Sequence, residues 1–170
     1  IGDLDNQYYR GLYFVNVRIV CVGKLKEKYL KDGIEEYAKR LSRFCKFEIV
    51  EVSEEFCSDI SQKNILSVKN AEGERIISKL KGFSIALDLK GKMLTSEELS
   101  AKISSLKQNG VSTLTFVIGG SYGLSSQVLD KCDFSLCFGA ITYPHQLIRL
   151  ILTEQIYRAF MIEEGSAYHK

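Results

Sequence analysis

Both histidines of the chain, His145 and His169, and its single proline, Pro144, lie between Gly139 and Lys170. Tyr168-His169-Lys170 places an aromatic ring, an imidazole and an ammonium in succession. Such groups can stack on a base, exchange a proton and neutralise a phosphate. The plainer reading is a frayed tail. His145 precedes the most apolar helix-compatible run of the sequence, where a histidine either bonds nearby backbone or meets a substrate. Arg149, Glu154 and Arg158 interrupt that run. Buried charges need partners, so these residues either pair with one another, within the helix or between subunits, or hold an anionic substrate.

Three further segments are candidates because parallel sheets bind ligands beyond the carboxyl ends of their strands. They are Leu87 to Gly91, Ile118 to Gly123 and Phe138 to Tyr143. Gly119 and Gly120 would let a ligand approach backbone that side chains would otherwise screen, or they make only a tight turn. The segment from Phe138 through Gly139, Ala140, Ile141, Thr142 and Tyr143 to His145 can offer backbone N–H and C=O groups to an adenine-like ring, with Ile141 and Tyr143 as apolar walls. It also reads as a helix entry, with Thr142 as cap and Pro144 in the first turn. No G-x-G-x-x-G follows the first strand, and no G-x-x-x-x-G-K-[ST] occurs. A dinucleotide-binding Rossmann domain and a P-loop ATPase are therefore disfavoured.

The elements that must position these residues follow from periodicity. Strands are predicted over Val17–Val22, Phe47–Val52, Phe83–Leu87, Val111–Ile118 and Phe134–Phe138. Between them lie helical patterns: Tyr29 to Phe44, a charged amphipathic helix from Ile65 to Leu80, one capped by Thr95 and Glu98, and a short one over Leu124–Lys131. Ser53–Asn64 reads as a mobile polar loop and Asp88–Lys92 as a turn. Strand and helix alternate throughout, which implies an α/β fold with a largely parallel sheet flanked by helices.

The last helix, from Gln146 on, is apolar on every side of a 3.6-residue period. Either it runs through the middle of the domain, or one face packs on the domain and the other on a second copy. The second is favoured, because a small α/β domain normally places its helices outside the sheet.

At 170 residues the chain suits one domain that needs neither disulfides nor a structural metal. Residues 1–15 break the pattern and are expected to be an extension, a tag remnant or upstream translation, leaving a single domain over 16–170. The net charge of +2 neither demands nor forbids a nucleic-acid partner. Five cysteines without a C-x-x-C pair read as reduced core thiols of a cytoplasmic protein, against a redox function. No metal site and no membrane span are expected.

The series Val17-Arg-Ile-Val-Cys-Val-Gly-Lys24, Leu87-Asp-Leu-Lys-Gly-Lys-Met-Leu-Thr-Ser96, Phe116-Val-Ile-Gly-Gly-Ser-Tyr-Gly-Leu124, Thr142-Tyr-Pro-His-Gln-Leu-Ile-Arg149, Thr153-Glu-Gln-Ile-Tyr-Arg-Ala159 and Tyr168-His-Lys170 resembles the ribosomal RNA large subunit methyltransferase H family of knotted SPOUT methyltransferases. The resemblance runs from about Asn16 to the last residue. It implies a SPOUT fold with a C-terminal trefoil knot, homodimers, and S-adenosylmethionine as the methyl donor. It further implies methylation of N3 of a pseudouridine in the helix 69 loop of 23S ribosomal RNA, on the assembled 70S ribosome. By position, the cofactor would be held by Leu87, Gly119, Gly120, Phe138, Gly139, Ala140, Ile141, Thr142 and Tyr143. Catalysis is expected from His169, Tyr168 and Arg149, with Arg158, Lys170 and His145 on the substrate. Another RNA nucleotide as target, or a non-catalytic ribosome-binding factor, are the competing expectations.

Overall fold

The β-branched run near the start forms strand β1 (Val15–Val22) in the computed structural model of the protein, which describes residues 14–169 apart from the His169 side chain. Of the extension expected over residues 1–15, residues 1–13 lie outside the described residues, as do Lys170 and the His169 imidazole, whereas Val15 already belongs to β1. The chain continues as α1 (Lys28–Leu41), β2 (Cys45–Val52), α2 (Gln62–Ile77), β3 (Phe83–Met93), α3 (Ser96–Gln108), β4 (Thr113–Ile118), α4 (Ser126–Lys131), β5 (Phe134–Cys137), α5 (Leu147–Glu163) and a 3₁₀ turn (Ala167–His169).

All five strands are parallel, in the order β2-β1-β4-β3-β5. Residues of one strand alternate between two apolar layers. Val17, Ile19 and Cys21 of β1 join the larger core beneath α1, α3 and α5, whereas Val20 and Val22 face the smaller core beneath α2 and α4. Because β4 and β5 both pair with β3, the link from β4 to β5 must pass across β3.

The helix boundaries have local causes. Thr95 and Glu98 form the expected capping box: the Thr95 hydroxyl accepts from the Glu98 N–H at 3.1 Å, and the Glu98 carboxylate accepts from the Thr95 N–H at 2.8 Å. Ser61 caps α2, which starts earlier than its apolar spacing predicts, and Ser125 caps α4. The segment expected to be mobile after β2 is tied down in its first part. Arg75 donates to the Ser53 carbonyl at 2.9 Å and pairs with Glu55.

Two expectations are corrected. Asp88–Lys92 is not a turn that ends β3: Leu87 and Lys92 both pair with Leu136, so the strand bulges out and then resumes. Gly91 permits this, since a Cβ there would come within 2.7 Å of Ser135 backbone. Thr142 is not the cap of the last helix. The chain enters α5 through a turn in which the Ile148 N–H donates to the Pro144 carbonyl at 3.0 Å, with Gln146 already helical.

Helix α5 lies on the sheet with α1 on one side and α3 on the other. Most of its apolar circumference is thus covered within one chain. Ile148, Leu152, Ile156 and Phe160 are buried, and Leu147, Ile151, Arg158 and Ile162 form a half-buried outer stripe.

Arg149 faces inward from α5 and is fully buried. It donates to the Val22 carbonyl at 2.5 Å, to the His145 carbonyl at 3.3 Å and to the Glu51 carboxylate at 3.2 Å. Three elements therefore meet on one guanidinium. Glu51 is about one-third exposed, so the ion pair is partly screened. Replacing Arg149 by Met removes the side-chain donor of the Val22 carbonyl and leaves Glu51 only the Leu25 N–H, and should lower stability by about 2–4 kcal/mol. A denaturant-unfolding loss below about 1 kcal/mol would contradict this role.

Candidate active site

The bulge of β3 and the carboxyl end of β4, with the segment after β5, open onto a cleft of about 760 Å³. All three segments singled out in the sequence reach it: Leu87 to Leu89, Ile118 to Leu124, and Phe138 to His145, with Ala140 not on its wall. The β4 end turns sharply, the Gly123 N–H donating to the Gly120 carbonyl at 3.0 Å with Gly123 at φ +78°. Gly119 and Gly120 have no room for side chains. A Cβ on Gly119 would lie 2.7 Å from the Gly123 carbonyl carbon, and one on Gly120 would lie 2.8 Å from a Glu72 carboxylate oxygen. Bare backbone therefore forms this part of the wall.

The segment after β5 is held at one point by sulfur. The Cys137 thiol donates to the Gly139 carbonyl at 3.2 Å and its sulfur accepts from the Gly139 N–H at 3.4 Å, with Gly139 at φ +112°. Beyond it, the backbone groups of residues 140–143 make no hydrogen bond among the described residues. Ile141 is largely exposed at the rim, while Tyr143 is half-buried against the core. An apolar slot edged by free backbone donors and acceptors suits a flat heteroaromatic ring with a polar edge.

His145 lines the cleft just before α5. Burial, then the adjacent Arg149 charge, holds its imidazole below the ordinary 6.5, outweighing the pull of Glu54. At neutral pH it is uncharged and can accept a proton. Gln146 beside it accepts from the Lys26 N–H at 3.2 Å, fixing the loop after β1 against this entry.

The remaining candidates lie elsewhere. Arg149, expected to be catalytic, is fully buried and does not line the cleft; its donors hold Val22, His145 and Glu51. Arg158 pairs with Glu154 at 2.6 Å and lies over the Tyr168 ring at 5.0 Å. Tyr168 meets Tyr157 edge-on at 5.0 Å and donates to Glu154 at 3.3 Å. Burial, reinforced by Tyr37, pushes its phenol upward and keeps it protonated. From Ile148 at the cleft to Tyr157, α5 rises about 13 Å at 1.5 Å per residue, so one chain does not bring its own Tyr168 to its own cleft.

Sequence reasoning missed α2 as a contributor. Lys69 lines the cleft, and Glu72 backs the glycine turn. One signal was present: a mid-helix glycine is costly, and Gly73 is there because a Cβ would collide with the Ser125 hydroxyl. The five cysteines are free thiols. Burial pushes Cys21 and Cys132 up to about 11 and Cys45 up to about 12, which leaves them protonated and inert.

A family model described as Predicted SPOUT methyltransferase matches residues 15–169. Proteins named ribosomal RNA large subunit methyltransferase H from Pediococcus pentosaceus and Latilactobacillus sakei are 54% and 55% identical over 159 residues, covering 92% of this chain and all of theirs. Among solved structures, a probable methyltransferase from Bordetella pertussis Tohama I has a TM-score of 0.55 at 13% identity, over 88% of this chain and 98% of its own; this likeness concerns the fold.

The His145 environment can be checked directly. Its imidazole protons, assigned by comparison with His145→Gln, should titrate below 6.5. A histidine with a lowered folded pKa disfavours protonation in the folded state, so stability falls as pH drops below about 6.5 and recovers nothing above it. The wild-type melting temperature should therefore drop more steeply than that of His145→Gln between about pH 7 and pH 5. A midpoint at or above the ordinary value rejects this account.

Proposed function

Because the chain belongs to the SPOUT methyltransferase family, we propose that it transfers a methyl group from S-adenosylmethionine to N3 of a pseudouridine in the helix 69 loop of 23S ribosomal RNA, on the assembled 70S ribosome. The observation that carries the reading is the match of over half identity to ribosomal RNA large subunit methyltransferase H proteins along their whole length. The cleft supports it. A nucleoside-sized slot with bare glycine backbone on one side and free backbone groups at residues 140–143 on the other fits an adenosyl moiety. Family membership also carries the expectation of a trefoil knot near the C-terminus, a single domain over 16–170, and a cytoplasmic location.

When bound, the cofactor supplies an electrophilic methyl group on a sulfonium. Leu87, Phe138, Ile141 and Tyr143 would flank the adenine, while the backbone of Gly139 to Thr142 reads its edge and Gly119 and Gly120 admit the ribose closely. Such contacts would hold the donor for attack by the nitrogen, and positioning of this kind supplies much of the rate. The N3–H of pseudouridine must be lost before or during attack. Neutral His145, or the tail imidazole of His169, can take that proton, while Arg158 and Lys170 stabilise the developing anion and hold phosphate.

Since one chain leaves its Tyr168 far from its own cleft, the tail would serve the cleft of a second subunit. The half-buried outer stripe of α5 is the surface proposed for that homodimer. Arg149 stays out of the chemistry and holds the entry to α5.

Tritiated methyl transfer to 70S ribosomes lacking helix 69 methylation, with uridine-containing ribosomes in parallel, tests the assignment. Incorporation confined to pseudouridine-containing 23S RNA is expected. Measurable cofactor binding with no transfer would overturn the target and favour another RNA nucleotide or a binding factor. Deleting Tyr168 to Lys170 should reduce transfer by at least about a hundredfold with cofactor affinity retained. Undiminished transfer would remove the tail from the mechanism.

A further inference from the structure

Beside the main cleft, between the 53–57 segment and the 120–122 turn, lies a second cavity of about 320 Å³. Glu54, Glu55 and Glu72 line it, and Ser121 and Tyr122 line both cavities, so the two adjoin. Glu55 has its cation in Arg75. Glu72 has none. It is 3% exposed; one carboxylate oxygen accepts from the Glu55 N–H at 3.1 Å, and the other has no hydrogen-bond partner among the described residues. That unpartnered oxygen is the atom that bars a side chain at Gly120.

A buried carboxylate oxygen without a donor is costly, and folds retain such atoms where something else completes them. Burial pushes the Glu72 carboxyl upward, and the Glu54 charge adds to the rise, against the pulls of the Glu55 N–H and the Arg75 charge. A cation entering beside it would reverse that balance. One turn earlier on the same helix face, Lys69 lines the main cleft. Helix α2 thus offers an ammonium to the larger space and a carboxylate to the smaller one, an arrangement matched to a zwitterion.

We propose that Glu72 and its side cavity receive the ammonium group at the amino-acid end of the cofactor, with Lys69 facing the carboxylate of that end. This assignment rests on the reading of the main cleft as an S-adenosylmethionine site. Adenine and ribose carry no ammonium; the amino-acid end does. With the nucleoside between the glycine turn and the 138–143 segment, that end has the shared Ser121–Tyr122 wall as its route to Glu72.

Calorimetric titration of the whole protein with two ligands separates the possibilities. S-adenosylhomocysteine carries the amino-acid end, and 5′-methylthioadenosine has the same nucleoside and sulfur without it. Glu72→Gln should weaken S-adenosylhomocysteine by about tenfold or more and change 5′-methylthioadenosine by less than about twofold, as expected when one charged hydrogen bond is lost. Thermal unfolding should not fall, because glutamine keeps the volume and removes a costly buried acid. If that variant does not fold, half-buried Lys69→Gln should give the same split between the ligands. Equal weakening of both ligands overturns the proposal and makes Glu72 a brace of the glycine turn. Unchanged affinity for both also overturns it. A wild-type protein that binds neither ligand overturns the cofactor reading and this subsite with it.

Discussion

One guanidinium holds the site together. Arg149 is buried at the junction of the β1 end, the β2 end and the turn into α5, and each of its contacts fixes a different element. Without it, the last helix could slide along the sheet. Because residues 138–146 hang between β5 and that helix, their shape depends on both anchors. A buried arginine is expensive, and the neighbouring Glu51 charge with two carbonyls offsets that cost only in one geometry. The energetic penalty thus enforces a unique placement of the cleft floor.

From this anchor the roles of the surrounding residues follow. The Val22 carbonyl, at the end of a central strand, is taken by Arg149, and Gly23 then turns the chain away with φ +81°. The Leu25 and Lys26 N–H groups are held by Glu51 and Gln146. The loop after β1 is therefore stapled to β2 and to the start of α5, and it forms a rigid shoulder beside His145. Burial, and after it the same positive charge that orders this corner, hold the His145 imidazole below its ordinary value. Structural and chemical requirements meet in a single side chain.

Much of this was legible in the sequence because it depended on local signals. Short apolar runs, β-branched in β1 and β4, marked all five strands, and glycine clusters marked segments that form the cleft. Thr95 and Glu98 announced their helix three residues apart. What was not legible depended on partners distant in sequence. Arg149 looked like a candidate for substrate because its partners Val22 and Glu51 lie about a hundred residues earlier. The bulge in β3 is set by Leu136 pairing twice, which no pattern within residues 87–92 reveals. The apolar circumference of α5 suggested a subunit interface, yet α1 and α3 already take most of it. Glu72 was hidden for a related reason: in a charged amphipathic helix a glutamate reads as solvated, and only the proximity of Gly120 shows otherwise.

The position of β3 between β4 and β5 has a consequence for the order of assembly. Strand β5 is an edge strand whose sheet partner is β3, and β3 carries β4 on its other edge. Pairings of this kind are non-local and slow. The cleft draws its last walls from the segment between β5 and α5, so a nascent chain has most of its sheet before it has any site. Ligand affinity therefore reports completed folding, and a ligand that binds only the finished cleft would act as a pharmacological chaperone by pulling late intermediates toward the native state.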